Sequence, residues 1–189
     1  MAKVRYGLSN VYYAKATIAN DGTATYETPV AIPGAVNLTL DPEGESNVFR
    51  ADNINYYTST ANSGYSGSIE FAIVPTSFRT DILGDIEHTD KVVYENADAA
   101  TQPFALIAQI EQDDGVPVKF VWYNCTAART STNAETTGTT IEPTTETLDL
   151  TVGMIKNTVL NKNIVKAYCE DSSAASYNSW TTSVHQPTA

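Results

Sequence analysis

The sequence predicts an all-β protein with minor helical content, folded as a sandwich or barrel. Thr, Ser, Asn and Ala are abundant while charged residues make up only 17% of the chain, a composition typical of strands. Turn signals also return at short intervals, which favours a sandwich or barrel. The 189 residues are enough for one domain, residues 1–189, with a real core. The turn signals are Asn20-Asp21-Gly22, Pro33-Gly34, Asp41-Pro42-Glu43-Gly44, Asn62-Ser63-Gly64 and Asp113-Asp114-Gly115.

The segments between these turns read as strands with one apolar and one polar face. Val36, Leu38 and Leu40 alternate with polar residues, and the segment from Thr147 to Val152 alternates in the same way. The polar faces must meet water or another subunit. The predicted strands are Val11–Ile18, Thr25–Ile32, Val36–Leu40, Ile54–Thr60, Ser66–Val74, Phe104–Glu111, Val118–Ala127, Thr145–Ile155 and Asn163–Cys169.

Residues 53–74 are predicted to form one long β-hairpin that turns at Asn62-Ser63-Gly64. Its alternation places Ile69, Phe71 and Ile73 on an inner face. A long ribbon in a monomer would expose unpaired strand edges, which promote aggregation. We therefore expect it to pair with a neighbouring copy. The candidate inter-subunit residues are Tyr56, Tyr57, Thr58, Asn62, Gly64, Tyr65 and Gly67.

One segment has helical spacing. Thr76–Gly84 follows Pro75, offers a Thr or Ser cap, places Phe78, Ile82 and Leu83 on one face, and ends in Gly. It predicts a short flanking helix. Residues 156–189 form a C-terminal extension, in which Ser172–Trp180 is either a weak helix or a loop.

The net charge of −11 argues against sequence-seeking DNA binding, because such a surface repels phosphates. No apolar run reaches the roughly 18 residues of a bilayer span, so no membrane role is expected. Cys125 and Cys169 are too few for a disulfide framework or a zinc site, and reduced thiols in strands are expected. His88 and His185 are far apart in the sequence and do not show the short, fixed spacing of metal-ligand pairs. We expect neither a cofactor nor an active site.

Two alternatives remain open from the residues. A glycan-binding module would stack sugars on aromatic side chains such as Tyr56, Tyr57, Trp122 and Tyr123. An acidic glycosidase would draw its carboxylate pair from Glu70, Glu111, Glu146 and Asp149, although any acidic protein offers such pairs.

Several colinear segments between Tyr6 and about Ile155 resemble the major tail proteins of long, non-contractile-tailed bacteriophages of Gram-positive hosts. The last thirty or so residues match less distinctly. The segments that carry the resemblance are Arg5-Tyr6-Gly7-Leu8-Ser9-Asn10-Val11-Tyr12-Tyr13-Ala14, Pro33–Gly44, Ala51–Tyr57 with Asn62–Gly67, Phe78–Gly84, Tyr123–Ala127 and Ile141–Leu148.

The resemblance implies a β-sandwich with a flanking helix that assembles into hexameric rings, stacked into the virion tail tube. The partners would be further copies of the chain and the terminator, tape-measure and distal tail proteins, after synthesis in the host cytoplasm. Double-stranded DNA would pass through without specific binding. Glu70 and Glu111 are the lumen candidates, and the ring-to-ring candidates are Arg5, Tyr6, Asp41, Glu43 and Glu45.

The expected function is therefore structural, as a self-assembling tail tube subunit. A receptor- or glycan-binding β-sandwich of a virion or cell surface is the alternative, and it would form a small oligomer that holds a ligand.

Overall fold

The computed structural model describes residues 4–132, 134, 136 and 143–187. Nearly all of its regular structure is strand, as the turn signals predict, so the all-β prediction with minor helix is confirmed. The strands are β1 (Arg5–Ile18), β2 (Ala24–Tyr26), β3 (Val30–Ala31), β4 (Ala35–Glu43), β5 (Ser46–Ala51), β6 (Ile54–Thr60), β7 (Gly64–Phe71), β8 (Ile86–Glu87), β9 (Val93–Tyr94), β10 (Phe104–Gln112), β11 (Val118–Ala127), β12 (Glu146–Gly153), β13 (Ile155–Asn157), β14 (Lys162–Ile164) and β15 (Lys166–Cys169).

One antiparallel sheet organises the chain in the order β2-β1-β10-β11-β12-β7-β4, with β3 also paired to β1. Strands β12 and β15 occupy the same side of β11, because β10 lies on the other side. Val152 pairs with Cys125, while Lys166 pairs with Trp122. The β13–β14 ribbon therefore interrupts what is otherwise a single line of strand along β11.

The larger core cluster draws side chains from both ends of this sheet. Val11 of β1 and Phe71 of β7 belong to the same cluster as Leu106, in the middle of the sheet. Because these strands are far apart in the sheet order, the sheet must curl around the cluster. The ring of Phe78 packs edge-on against Tyr13 at 5.1 Å and fixes the helical segment there.

The C-terminal segment covers the other face of the central strands. Trp180 is buried in a second cluster with Ile107, Val121 and Tyr123. Lys119 Nζ donates to the carbonyl of Tyr177 at 2.7 Å and holds the segment down. The extension predicted at residues 156–189, described as far as residue 187, thus completes a core and is not an appendage.

Several predicted boundaries shift for local reasons. The strand predicted at Thr25–Ile32 is split into two around the buried Pro29. Pro42 lies inside β4 and not in a turn, because β4 is an edge strand and an edge tolerates a residue without an N–H. A bulge between Ala35 and Asn37 turns Val36 outward, and β7 ends before Ile73, so both are exposed and not internal.

The predicted helix is present over the predicted span, but part of it is π-helical and its N-terminus is capped differently. An α-helical turn, Thr76–Phe78, continues into a π-helical turn, Arg79–Leu83, and Gly84 ends it with a φ of 76°. Phe78, Ile82 and Leu83 are buried, as predicted. The N-cap position is Pro75 and no side chain caps the helix, so the predicted Thr or Ser cap is wrong. The segment predicted at Ser172–Trp180 contains one 3-10 turn, Tyr177–Ser179.

The hairpin predicted at residues 53–74 requires the main correction. Strand β6 pairs with β5, and β7 pairs with β4 and β12, so β6 and β7 are not partners. The two ladders follow one another and make a single long hairpin from Ala35 to Phe71. Its turn is Asp52-Asn53, and Asn62-Ser63-Gly64 is a junction on the way to it.

Candidate functional site

Three neighbouring strands present one wholly polar surface, which we call the polar face. Beyond the bulge at Val36, the apolar side chains of β4, β7 and β12 point to the larger core, so their alternating neighbours point away from it. The register aligns these neighbours into three rows, and Thr126 of β11 extends the third row. The rows are Asn37, Glu70 and Thr147; Thr39, Ser68 and Asp149; and Asp41, Ser66 and Thr151.

The charges on the polar face are all negative and are spaced apart. Glu70, Asp149 and Asp41 each occupy a different row and a different strand, so no two carboxylates are directly paired. Directly opposed like charges destabilise a sheet, and this diagonal arrangement avoids them. The Thr145 hydroxyl donates to the Glu70 carboxylate and orients it. No Lys, Arg or apolar residue occupies these positions.

The outer part of the long hairpin, residues 46–60, forms a two-stranded ribbon that we call the arm. Asp52 and Asn53 have φ values of 51° and 63°, which matches a two-residue turn of the type favoured in hairpins. Asp and Asn tolerate this left-handed conformation better than other non-glycine residues. The arm thus has a well-defined tip that carries two polar residues.

The arm exposes a set of apolar side chains that a monomer does not cover. Phe49 and Tyr57 form a cross-strand pair, and both remain about 60% exposed. Tyr56 occupies the bulge beside this pair and is 69% exposed. Val48 and Ile54 are exposed as well. An isolated two-stranded ribbon is at best marginally stable in water, so the exposed apolar side chains of the arm mark it as a candidate interaction surface.

The junction between arm and body is tightly packed. Gly64 has a φ of 132°, and a Cβ there would lie 2.0 Å from the carbonyl oxygen of Val152. Asn62 Oδ1 accepts the Gly64 N–H at 3.1 Å, while the Tyr65 ring lies under Lys166 Nζ at 4.5 Å. Gly67 packs beneath the Thr39 carbonyl. Of the predicted hairpin residues, only Tyr56, Tyr57 and Thr58 therefore lie in the arm.

The two lumen candidates lie on different parts of the sheet. Glu70 is on the polar face, whereas Glu111 lies on β10 opposite Tyr6 and accepts a hydrogen bond from Ser9 Oγ at 2.7 Å. Asp41, expected at a ring-to-ring contact, also belongs to the polar face. Asp149 is the third carboxylate of the polar face but is not among the lumen candidates. The alternation from Thr147 to Thr151 is the sequence signal that places it on this face.

The remaining ring-to-ring candidates lie at the root of the arm and on β1. The Glu43 and Glu45 carbonyls accept the N–H groups of Ser63 and Ala61 at 2.8 and 3.0 Å, which closes the root. Arg5 pairs with Glu170 and lies over the Phe120 ring at 5.6 Å. Tyr6 is exposed. These residues are not brought together into one site.

Reactive groups do not converge within the described ranges. Among residues 4–132, 134, 136 and 143–187, no group of three or more His, Cys, Asp or Glu side chains is placed to hold a metal ion. Both cysteines are free and lie in strands, as predicted; burial raises the pKa of Cys125 to about 12. Trp122 and Tyr123 are buried, so neither offers a face to a sugar.

A shallow groove of about 590 Å³ lies between β2 and the C-terminal segment. His185, which stacks on Trp180 at 5.3 Å, forms part of its wall, and Gln186 donates to the Ala24 carbonyl at its floor. Burial lowers the pKa of His185. Most of the other side chains that line the groove carry a hydroxyl group. They are Thr25, Thr28, Ser176, Ser179, Thr182 and Ser183.

Comparison with known proteins gives no identification. A scan against models of protein families finds no match to the chain. A search of curated proteins likewise finds no relative. In the part of the chain that the structure describes, no helix has the length and apolarity needed to cross a bilayer.

Proposed function

We propose that this chain is a structural subunit that self-assembles into stacked hexameric rings, forming the tail tube of a long-tailed bacteriophage through which the genome passes. The observation that carries the proposal is the combination, in one molecule, of a cation-free polar face and a projecting apolar arm. The resemblance of the sequence to major tail proteins supplies the ring and tube geometry.

The polar face suits a conduit for double-stranded DNA. Lys and Arg bind phosphates and release condensed counterions, which is the main source of non-specific affinity for DNA. The polar face offers only hydroxyls, one amide and three carboxylates. It therefore presents no cationic side chain that could bind the phosphates of a passing duplex. In the proposed tube, this face lines the bore.

The sheet edge and the arm suit assembly. Among the described residues, no strand pairs with the outer edge of β4, which borders the polar face. Such an edge is available to another chain over the stretch before Pro42. The arm adds exposed aromatic side chains of the kind that dominate protein interfaces. We therefore assign lateral contacts to the β4 edge and axial contacts to the arm.

Negative-stain microscopy at rising protein concentration tests the proposal. The intact chain should form rings or tubes of even bore. A variant with residues 46–60 replaced by an Asn-Gly turn should stay monomeric and folded, because Glu45 and Ala61 already lie side by side. Replacing the tip of the β13–β14 ribbon, residues 158–161, is the matched control and should leave assembly intact. Normal tubes from the arm deletion would refute the role of the arm.

A second candidate function rests on the groove at the C-terminal segment. Its volume is within the range of small-molecule sites, and its hydroxyl lining suits a polar ligand such as a glycan. This alternative predicts a small oligomer that binds an oligosaccharide. Glycan-array binding that is lost in a Ser179→Trp variant would favour it over the tube.

A further inference from the structure

A lysine and a cysteine lie directly opposite each other where β15 pairs with β11. Lys119 of β11 is the cross-strand partner of Cys169 of β15. Opposite residues of an antiparallel pair point to the same face of the sheet, and their Cβ atoms lie about 5 Å apart. The flexible four-carbon stem of a lysine spans such a separation. The amine of Lys119 can therefore reach the sulfur of Cys169 by a change of rotamer, without movement of the backbone.

The groups that hold the ammonium of Lys119 are neutral. Its side chain is buried, Nζ donates to the Tyr177 carbonyl at 2.7 Å, and the centre of the Tyr177 ring lies 4.1 Å from Nζ. Among the residues that the structure describes, no carboxylate forms an ion pair with Lys119. Burial lowers the pKa of Lys119. It therefore increases the fraction of neutral amine, which is the nucleophilic form.

The Cys169 thiol lies close enough to Lys119 and Tyr177 for its charge to act on both. Burial raises the pKa of Tyr177, and a charge on Cys169 adds to this effect. The same charge opposes the lowering of the pKa of Lys119. Cys169 is only half-buried where it packs against the second core cluster, so a small oxidant can reach it.

An oxidised Cys169 has no second thiol beside it within the molecule. Cys125 is the other cysteine of the chain, and it is buried in the larger core cluster. Cys169 packs against the second cluster, on the opposite face of the sheet. A cysteine sulfenic acid condenses with a nitrogen as well as with a thiol. The nucleophile placed to react on this face is the amine of Lys119.

We infer that Lys119 and Cys169 are a peroxide-sensitive pair that closes into a covalent sulfur–nitrogen crosslink. First, the sulfur of Cys169 attacks hydrogen peroxide: an S–O bond forms, the O–O bond breaks, and the products are a sulfenic acid and water. This step oxidises the sulfur by two electrons and reduces the peroxide by two. Second, the neutral amine of Lys119 attacks the sulfur: an N–S bond forms, the S–O bond breaks, and hydroxide leaves with one amine proton as water.

The crosslink fastens the strand from which the C-terminal segment begins. It closes a loop of about 50 residues, which restricts the unfolded chain. The product nitrogen keeps one N–H, which can still be donated to the Tyr177 carbonyl. A thiol reductant attacks the sulfur and releases the amine, so the change is reversible. Because both residues belong to one chain, this switch goes beyond the proposed function and does not depend on assembly.

Peptide mass spectrometry after treatment with hydrogen peroxide tests the inference. A digest of the folded protein should contain two peptides joined at Lys119 and Cys169, with a mass about 2 Da below their sum. Dithiothreitol should separate them. If the protein is oxidised in denaturant, where the strands no longer pair, the yield should fall at least about tenfold. Lys166→Met is the matched control and should leave the yield unchanged, because Lys166 pairs with Trp122 on the other face.

A variant at the lysine itself gives a second measurement. Lys119→Arg keeps the positive charge but offers a guanidinium that stays protonated, so Cys169 should gain about 16 or 32 Da instead of forming the link. If this buried substitution prevents folding, the comparison of folded and denatured wild-type protein decides. Two results would overturn the inference: oxidation of Cys169 without the linked peptides in the folded protein, or an equal yield of linked peptides in denaturant. A disulfide between the Cys169 residues of two chains as the main product would do the same.

Discussion

Arg129 Nη1 donates to Asp85 Oδ1 at 2.6 Å, and the Asp85 side chain is only 6% exposed. The same guanidinium donates to the carbonyls of Leu83 and Asn96 at 3.1 and 2.8 Å. A single side chain thus joins the end of the helical segment, the β8–β9 ribbon and the segment after β11.

Replacing Arg129 should therefore destabilise the fold substantially. Arg129→Met leaves the Asp85 carboxylate buried and unpaired, and we expect a loss of about 3 kcal/mol in the free energy of unfolding. Denaturant titration measures it. Lys91→Met, which removes the exposed pair with Glu87, is the control and should leave the midpoint unchanged. A loss below about 1 kcal/mol for Arg129→Met would show that the ion pair does not hold these segments.

Placing cations on the polar face should create DNA binding. Asp41→Lys with Asp149→Lys changes exposed side chains in two different rows, so folding should be spared. We expect salt-dependent binding of double-stranded DNA, with the logarithm of affinity falling by about 1.8 per decade of salt for two new phosphate contacts. Fluorescence anisotropy at several salt concentrations checks this.

The control for that experiment has the same change in net charge away from the polar face. Asp98→Lys with Asp113→Lys alters two exposed residues outside the three rows. If this control binds DNA as tightly as the first pair, total charge and not the polar face governs the interaction.

The two thiols should differ in reactivity. Burial raises the pKa of Cys125 to about 12, so at pH 8 it is neither ionised nor accessible, while Cys169 is half-buried on β15. A thiol reagent should titrate one group in the folded protein and two in denaturant. Cys169→Ser should reduce the folded value to zero; reaction of Cys125 at the same rate in the folded protein would mean that β11 opens readily.

Acid should loosen the C-terminal segment through His185. Burial holds the pKa of His185 below its ordinary value, so the unfolded state binds the proton more tightly and protonation favours release. The stabilisation that neutral His185 gives to the packed C-terminal segment is complete above its unfolded pKa, near 6.5. It is lost as the pH falls below that value and through the lower folded pKa. Fluorescence of Trp180 between pH 7.5 and 5 should report the change.

His185→Phe keeps an aromatic ring on Trp180 without a titrating group, and serves as the control. The variant should lose the difference in fluorescence that the wild-type shows over this interval, leaving only the background from carboxylates. Identical pH profiles for the two proteins would exclude His185 as the source.

Burial was predicted well wherever the sequence pattern lies within a single strand or helix. Leu148, Leu150 and Val152 alternate with Thr147, Asp149 and Thr151, and this period alone predicts a buried and a polar face. The helical spacing of Phe78, Ile82 and Leu83 likewise predicts burial on one face. The π-helical turn that brings them there is not encoded in that spacing.

Pairing between strands was harder to predict. Asn62-Ser63-Gly64 is a stronger turn signal than Asp52-Asn53, yet the hairpin turns at the second because β5 supplies a partner for β6. The weak apolar pattern of Ser46–Ala51, which packs on no core, gives little sign of a strand. The polar face required the register of three strands, and no single segment specifies that register.

The pairing of β1 with β10 sets an order for folding during synthesis. Arg5 finds its partner in Gln112, so this ladder of β1 cannot form until β10 has been made. The Ala35–Phe71 hairpin is local and can close early. Until β10 is made, apolar side chains of β1 that pack in the finished core are open to other nascent chains, so aggregation is a risk during this interval.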